Sequence, residues 1–169
     1  MEKLDSIWLV LSIAARRGWE VHHIDVKTSF LDGDLEEEIY MKQPQGYMQN
    51  SSLVCKLMMS LYGLNQASRA WYAKMDSYLL SQKLVCCKSD FNVYFLKKID
   101  SSLIIVLYVD DILIIHSSNF VIVEIKTVLH KQFSMIDMGL LNFFLGLDIN
   151  QSGFGITTSQ PKYDRDLLV

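Results

Sequence analysis

Cysteine is scarce: Cys55, Cys86 and Cys87 are the only three, and no two of them stand at a Cys-x-x-Cys spacing. An odd, unpatterned set excludes a disulfide framework and offers no zinc site, which fits a reducing, intracellular setting. Long apolar runs are also missing, because the longest, Leu103 to His116, is interrupted by Asp110 and Asp111. No membrane span, and no membrane partner, is therefore expected. The apolar stretch Ile7–Ala15 follows Glu2 and Asp5, precedes Arg16 and Arg17, and has no cleavage-like site, so it reads as an amphipathic helix rather than a signal peptide. Positive charge is not in surplus either: 16 Lys and Arg against 19 Asp and Glu leave a net charge of −3. That balance argues against a nucleic-acid partner, whose phosphates call for a basic face. His22 and His23 have no partner at ligand spacing, and no repeat or low-complexity tract is present. What is there is one domain's worth of chain, 169 residues with half of them hydrophobic. So high an apolar share points to surface meant for a partner or for further chain.

The chain is organised around LIIVLYVDDILIIH, Leu103 to His116. Two continuous apolar runs meeting at a crest read as two buried strands joined by a turn. Aspartate is a poor strand residue and costly to bury unpaired. Two readings stay open: a tight turn that uses Asp-Asp because Asp suits turns, or a pair of carboxylates presented to a hard divalent cation.

In order along the chain, Leu4, Ile7, Trp8, Leu11, Ala14 and Ala15 recur at helical spacing, with Gly18 as the C-terminal cap. Glu20–Val26 is expected to be a strand carrying Asp25 at its end, either as a site carboxylate or as the cap of the turn that follows. Asp32-Gly33 signals a turn, and Asp34 with Glu36–Glu38 a solvated acidic face. Short strands are expected at Ile39–Gln43 and Leu53–Met58. Ala67, Ala70, Trp71, Met75, Tyr78 and Leu79 mark one face of a helix that Asn65 or Ser68 caps. Phe91–Lys97 is a further strand, and the helix Asn119–Phe133 buries Val123, Ile125, Val128 and Leu129. After a turn at Gly139, an apolar strand Phe143–Ile149 pairs with Ile156–Thr158. Hairpins alternating with helices predict an α+β layer, an antiparallel sheet with its helices on one face and the other open.

Five blocks then carry a resemblance: DVKTSFLDGDLEEEIYMKQPQGY, VCKLMMSLYGLNQASRAWY, LYVDDILI, FFLGLDI and SQPKYDRDLL. In wording and order they resemble the reverse transcriptase of Ty1/copia-type retrotransposons. The resemblance implies a polymerase palm with part of the fingers. It makes residues 1–169 a single domain from which the N-terminal fingers segment, thumb and ribonuclease H are missing, with 156–169 leading toward the thumb. The implied function is RNA-directed DNA polymerase, by nucleotidyl transfer from a deoxynucleoside triphosphate to a primer 3′-hydroxyl. The alternative is a non-catalytic retroelement remnant that keeps the fold. Asp25, Asp110 and Asp111 would be the catalytic metal ligands, for two Mg²⁺ ions or Mn²⁺ in their place.

By the same resemblance Phe30 is the aromatic gate under the nucleotide sugar, Gln66 lines the nucleotide pocket and Arg69 meets a phosphate. The plainer readings are a core phenylalanine and helix surface. Tyr108 and Val109 would touch the primer end, and Leu145 and Gly146 would form the turn that supports the primer strand. Partners implied are an RNA or DNA template with its primer, the deoxynucleotide, and the remaining polymerase segments, in a cytoplasmic particle or the nucleus. The chain departs from the family where Asn65 and Ser68 replace a Lys and a Pro, Trp8 an Arg, Ile136 a Lys and Leu140 an acid.

Overall fold

The computed structural model describes residues 4–27, 37–48, 50, 52–61, 63–97 and 102–167. In chain order its elements are α1 (Leu4–Arg17), β1 (Glu20–Val26), β2 (Tyr40–Lys42), β3 (Val54–Lys56), α2 (Asn65–Ser81), β4 (Val85–Cys86), β5 (Val93–Lys97), β6 (Ser102–Tyr108), β7 (Asp111–His116), α3 (Asn119–Gln132), β8 (Met135–Leu140), β9 (Phe143–Phe144), β10 (Leu147–Ser152), β11 (Gly155–Ser159) and α4 (Pro161–Leu167). They divide into two compact units, residues 1–27 with 83–169, and residues 28–82.

The first unit is built on a six-stranded sheet of order β4-β5-β6-β7-β1-β8 in which every neighbouring pair is antiparallel. Ile7, Val10, Leu11 and Ala14 line one stripe of α1 and pack with Val21, Val106, Leu113 and Ile115 on one face of that sheet. The helix ends in a Schellman motif. Gly18 takes φ +65°, its N–H donates to the Ala15 carbonyl, and the Trp19 N–H donates to that of Ala14.

Helices were expected on a single face, and here the structure corrects the sequence reading. Side chains alternate along a strand, so His22 and Ile24 of β1 face away from Val21, as Ile112 and Ile114 of β7 face away from Leu113. That second face is covered by α3, whose Lys126 hydrogen-bonds His22 and which packs on β7. After Asp111, β7 is apolar and buried on both sides until His116, and β1 adds Val21 to one face and Ile24 and Val26 to the other, so the sheet needs two covers. Among the described residues of α3, Ile122, Lys126 and Leu129 are the buried ones, not the Val123, Ile125 and Val128 expected with Leu129; Val123 is exposed.

Buried Lys126 has two partners among the described residues. Its Nζ donates to His22 Nδ1 at 2.9 Å and to Asp137 Oδ1 at 2.6 Å. His22 Nε2 in turn lies 3.1 Å from Glu20 Oε2, and the Gly139 N–H donates to Asp137 Oδ1. Gly139 therefore sits inside β8, beside the irregularity in its pairing with β1, rather than opening a turn. The family departures Ile136 and Leu140 both lie on this edge strand, exposed.

The expected strand Phe143–Ile149 is broken at Leu145–Gly146, which turn β9 back onto β10 with Phe144 opposite Leu147. β10 pairs with β11 so that Ile149 faces Thr158, as expected. Gln151 holds this three-stranded sheet to β1: its Oε1 accepts from the Val21 N–H and its Nε2 donates to the Val21 carbonyl. Leu141, Phe144 and Ile149 thereby join the core under α1.

In the second unit β2 pairs with β3 from Tyr40 opposite Lys56 to Lys42 opposite Val54. Glu38 binds Lys56 and accepts from the Tyr40 hydroxyl, as a solvated acid does. α2 buries Ala67, Trp71, Met75 and Leu79. Its N-cap position is Leu64, with no side-chain cap, rather than Asn65 or Ser68. Among the described residues no helix is long and apolar enough to cross a membrane.

Candidate active site

Strand register puts two of the expected acids, Asp25 and Asp111, side by side at one end of the sheet's interior strands. β1 and β7 pair so that Asp25 stands directly opposite Asp111, and β6 and β7 so that Tyr108 stands opposite Asp111. Side chains directly opposite share a face, with Cβ atoms roughly 4.5–5.5 Å apart. Tyr108, Asp111 and Asp25 thus form one row across three strands. The next row inward is Val106, Leu113 and His23, and the next Ile104, Ile115 and Val21. Core and acids occupy the same face, two residues apart.

The crest of the hairpin is the two-residue loop Val109–Asp110. Val109 has φ +56° while Asp110 stays out of the positive region, the pattern of a type II′ turn, which normally takes glycine first. A β-branched residue there is strained. The Asp110 carbonyl accepts from the Val26 N–H at 2.8 Å, and the Lys27 N–H donates to Ser134, so the turn is tied to the end of β1 beyond Asp25. Burial pushes the Asp110 carboxyl above the usual carboxylate range. Its own backbone N–H works against that, and the charges of Asp111 and Asp25 add to it.

His23 is the residue that sequence reasoning missed. Its Nε2 lies 2.6 Å from Asp111 Oδ1, with the imidazole largely buried. It meets the Phe144 ring edge-on at 5.8 Å and 85°. Tyr108 meets the same ring at 5.6 Å and 72°. The signal was available: in a strand, a residue two before Asp25 shares its face.

At the tip between β9 and β10, Leu145 (φ +50°) and Gly146 (φ +83°) both lie in the left-handed region, as a type I′ turn requires. Tyr108 and Phe144, the residues leading into the two strained turns, are the pair in ring contact. Gln66 and Arg69 belong to the other unit, exposed on α2, where Gln66 Nε2 lies 3.4 Å from Glu37 Oε2. Phe30, Asp32, Gly33, Asp34 and Glu36 lie outside the described residues.

The donor chemistry fits a hard cation. Carboxylates are oxygen donors, and Mg²⁺ typically takes one or two of them and leaves room for phosphate oxygens. Burial raises Asp110 most and the charges of Asp111 and Asp25 add to it, and that like-charge share is what a cation would relieve. Among the described residues no three His, Cys, Asp or Glu side chains are yet gathered as a ligand set.

Comparison with known proteins bears on the same residues. A family described as "Reverse transcriptase (RNA-dependent DNA polymerase)" matches residues 1–168. The chain is 45% identical over 171 residues to the retrovirus-related Pol polyprotein from transposon TNT 1-94 of Nicotiana tabacum, covering 98% of this chain and 13% of that protein. It is 38% identical over 168 residues to the corresponding polyprotein from transposon RE1 of Arabidopsis thaliana, covering 98% of this chain and 12% of the other. With the transposon Ty1-NL2 Gag-Pol polyprotein of Saccharomyces cerevisiae it shares 30% identity over 155 residues, 92% of this chain and 8% of the relative. The chain thus spans about an eighth or less of each of these three relatives. No solved structure matches it.

Proposed function

The chain belongs to the reverse transcriptase (RNA-dependent DNA polymerase) family, as found in the Pol polyproteins of Ty1/copia-type transposons, and we propose that it forms the palm-type catalytic core of RNA-directed DNA synthesis. The reaction is attack of a primer 3′-hydroxyl on the α-phosphate of a deoxynucleoside triphosphate, with pyrophosphate leaving. The observation that carries this reading is the cross-strand pairing of Asp25 with Asp111, beside an Asp110 that feels both their charges. All three acids are present, which counts against the non-catalytic remnant.

Asp25, Asp110 and Asp111 would hold two Mg²⁺ ions, or Mn²⁺ in their place; when bound, such ions stabilise the attacking and leaving oxygens of an in-line displacement. The chain's own part is to present oxygens from two strands and a turn whose positions are fixed by the ladder. Tyr108 and Val109 flank the acids and contact the primer end. Leu145 and Gly146, joined to them through the Tyr108–Phe144 ring contact, support the primer strand. Phe30 gates the sugar, and Gln66 and Arg69 receive the nucleotide; these three assignments rest on the resemblance alone. The template, RNA or DNA, and the fingers, thumb and ribonuclease H segments complete the machine.

The test is primer extension on an RNA template by the tobacco relative's Pol polyprotein carrying this chain in place of its own matching segment. A metal ligand is worth several kcal/mol in such a displacement, so Asp110→Asn should cut extension by about 10³-fold or more. Circular dichroism should show the fold retained. Extension at the parent rate by Asp110→Asn would reduce the acids to turn residues.

A further inference from the structure

We infer that His23 is a positioning residue that fixes the Asp111 carboxylate for its cation, an inference that rests on the metal-site reading above. An ionised carboxylate only accepts hydrogen bonds, so the 2.6 Å contact requires Nε2–H of His23 to donate to Asp111 Oδ1. That bond occupies one carboxylate oxygen and leaves the other to a cation. The imidazole is itself held. It sits on β1 one row inside Asp25, diagonal to Asp111, and the Phe144 ring closes on it edge-on from β9. A side chain fixed by both backbone ladder and aromatic contact loses little freedom when it donates, so its partner is oriented before any ligand arrives. The N–H also places partial positive charge against Asp111, whose carboxylate stands opposite that of Asp25 across the two strands. Val106 and Leu113, its neighbours in that row on β6 and β7, are apolar, and Gly139 opposite it on β8 has no side chain.

The comparison is among the parent chain and its His23→Leu, His23→Gln and Asp111→Asn variants, each titrated with Mn²⁺ alone and followed by the electron paramagnetic resonance of the free ion. Groups that orient metal ligands are typically worth about 10–100-fold in metal affinity, so His23→Leu should weaken Mn²⁺ binding about ten-fold or more. In glutamine the amide nitrogen stands as many bonds from Cβ as Nε2 does in histidine. His23→Gln should therefore restore affinity to within about three-fold of the parent. Equal affinity in all three His23 forms would overturn the positioning role. Equal loss in the leucine and glutamine variants would also overturn it, since a donor would then not be what matters. Unchanged binding by Asp111→Asn would instead remove the metal-site reading underneath, separating the two failures. Should His23→Leu fail to fold, the parent alone decides: long-range proton–nitrogen spectra must show the His23 ring proton on Nε2, and a ring with its proton only on Nδ1 ends the proposal.

Discussion

Replacing Lys126 with methionine isolates the energetic weight of the buried polar network beneath the sheet. Lys126 is 7% exposed and bonds His22, itself 8% exposed, and Asp137. Methionine is close in volume to the lysine stem, so packing changes little and the loss is that of one ammonium with its hydrogen bonds. His22 keeps its Nε2–H on Glu20, which leaves Nδ1 a buried acceptor without a donor, at about 1–3 kcal/mol. The Asp137 side chain is 46% exposed. It rehydrates and retains the Gly139 N–H, so its share is that of a surface pair, about 0–1 kcal/mol. Against these stands the relief of no longer burying an ammonium. The net expectation is about 1–3 kcal/mol of destabilisation, and at about 2–4 °C per kcal/mol for a chain of this size a fall in Tm of roughly 2–12 °C. Urea unfolding at pH 7 with thermal melts by circular dichroism reads it directly. A variant as stable as the parent would show that desolvating the ammonium costs as much as its bonds return.

The pH dependence gives an independent check. Burial alone would raise the Asp137 carboxyl, but the Lys126 hydrogen bond, the Gly139 N–H and the charge of Lys126 outweigh it and leave it lowered. A lowered carboxylate contributes its stability in full above the unfolded value near 3.9, and loses it as pH falls through the folded value. The gap between parent and Lys126→Met should therefore be widest at neutral pH and shrink below about pH 4. A gap that holds constant into acid would place the effect elsewhere.

Three further outcomes follow from single residues. Asp110 is the opposite case, a carboxyl raised by burial and by its acidic neighbours; its ionised form weakens the folded state, and the deficit is recovered as pH falls through the raised value. Without divalent cations Asp110→Asn should melt no lower than the parent at pH 7, gaining under about 1 kcal/mol because the group is only part-buried, and a lower melt refutes the repulsion. Leu145→Gly removes a side chain from a left-handed position worth about 1–2 kcal/mol of strain and adds about 0.5–1 kcal/mol of glycine entropy; its urea midpoint should rise slightly, and a loss above about 1 kcal/mol would mean the Leu145 side chain is a needed contact. Gly18→Ala meets open space but keeps φ at +65°, so it should cost about 1–2 kcal/mol in urea unfolding, all of it conformational.

Much of the α+β architecture was legible because each apolar run had a single period. Leu103–His116 became the β6–β7 hairpin, α1 formed as a helix that buries Ile7, Leu11 and Ala14 as read, though with Val10 in place of the exposed Trp8, and β10 paired with β11 as read. Failures occurred where one parity carried two kinds of residue. In α3 the lysine at position 126 looks like a surface residue, yet it falls on the stripe with Ile122 and Leu129, and only the His22 and Asp137 partners, contributed by two other strands, explain its burial. β8 was overlooked because its outer residues, Ile136, Met138 and Leu140, are apolar and exposed, so no alternation marks it. His23 was passed over for a similar reason: its partner is 88 residues away in sequence and next to it only through the register of β1 with β7.

That register is itself the reason the acids can stand where they do. Along the α1 face of β1 and β7, Val21 opposite Ile115 gives way, two residues on, to His23 opposite Leu113 and then to Asp25 opposite Asp111. A slip by one residue would turn Ile24 and Ile112 to that face and send the two carboxylates under α3, among Ile114, Ile122 and Leu129, all essentially without solvent. Burying a carboxylate in such surroundings is prohibitive unless it is neutralised or paired. The alternating apolar residues of both faces hold the strands in register, and the cost of misplacing Asp25 and Asp111 holds them there again. The same hydrophobic pattern that makes the sheet therefore aligns the carboxylates, and His23, polar but largely buried in the row between core and acids, is the residue through which that alignment reaches an individual oxygen.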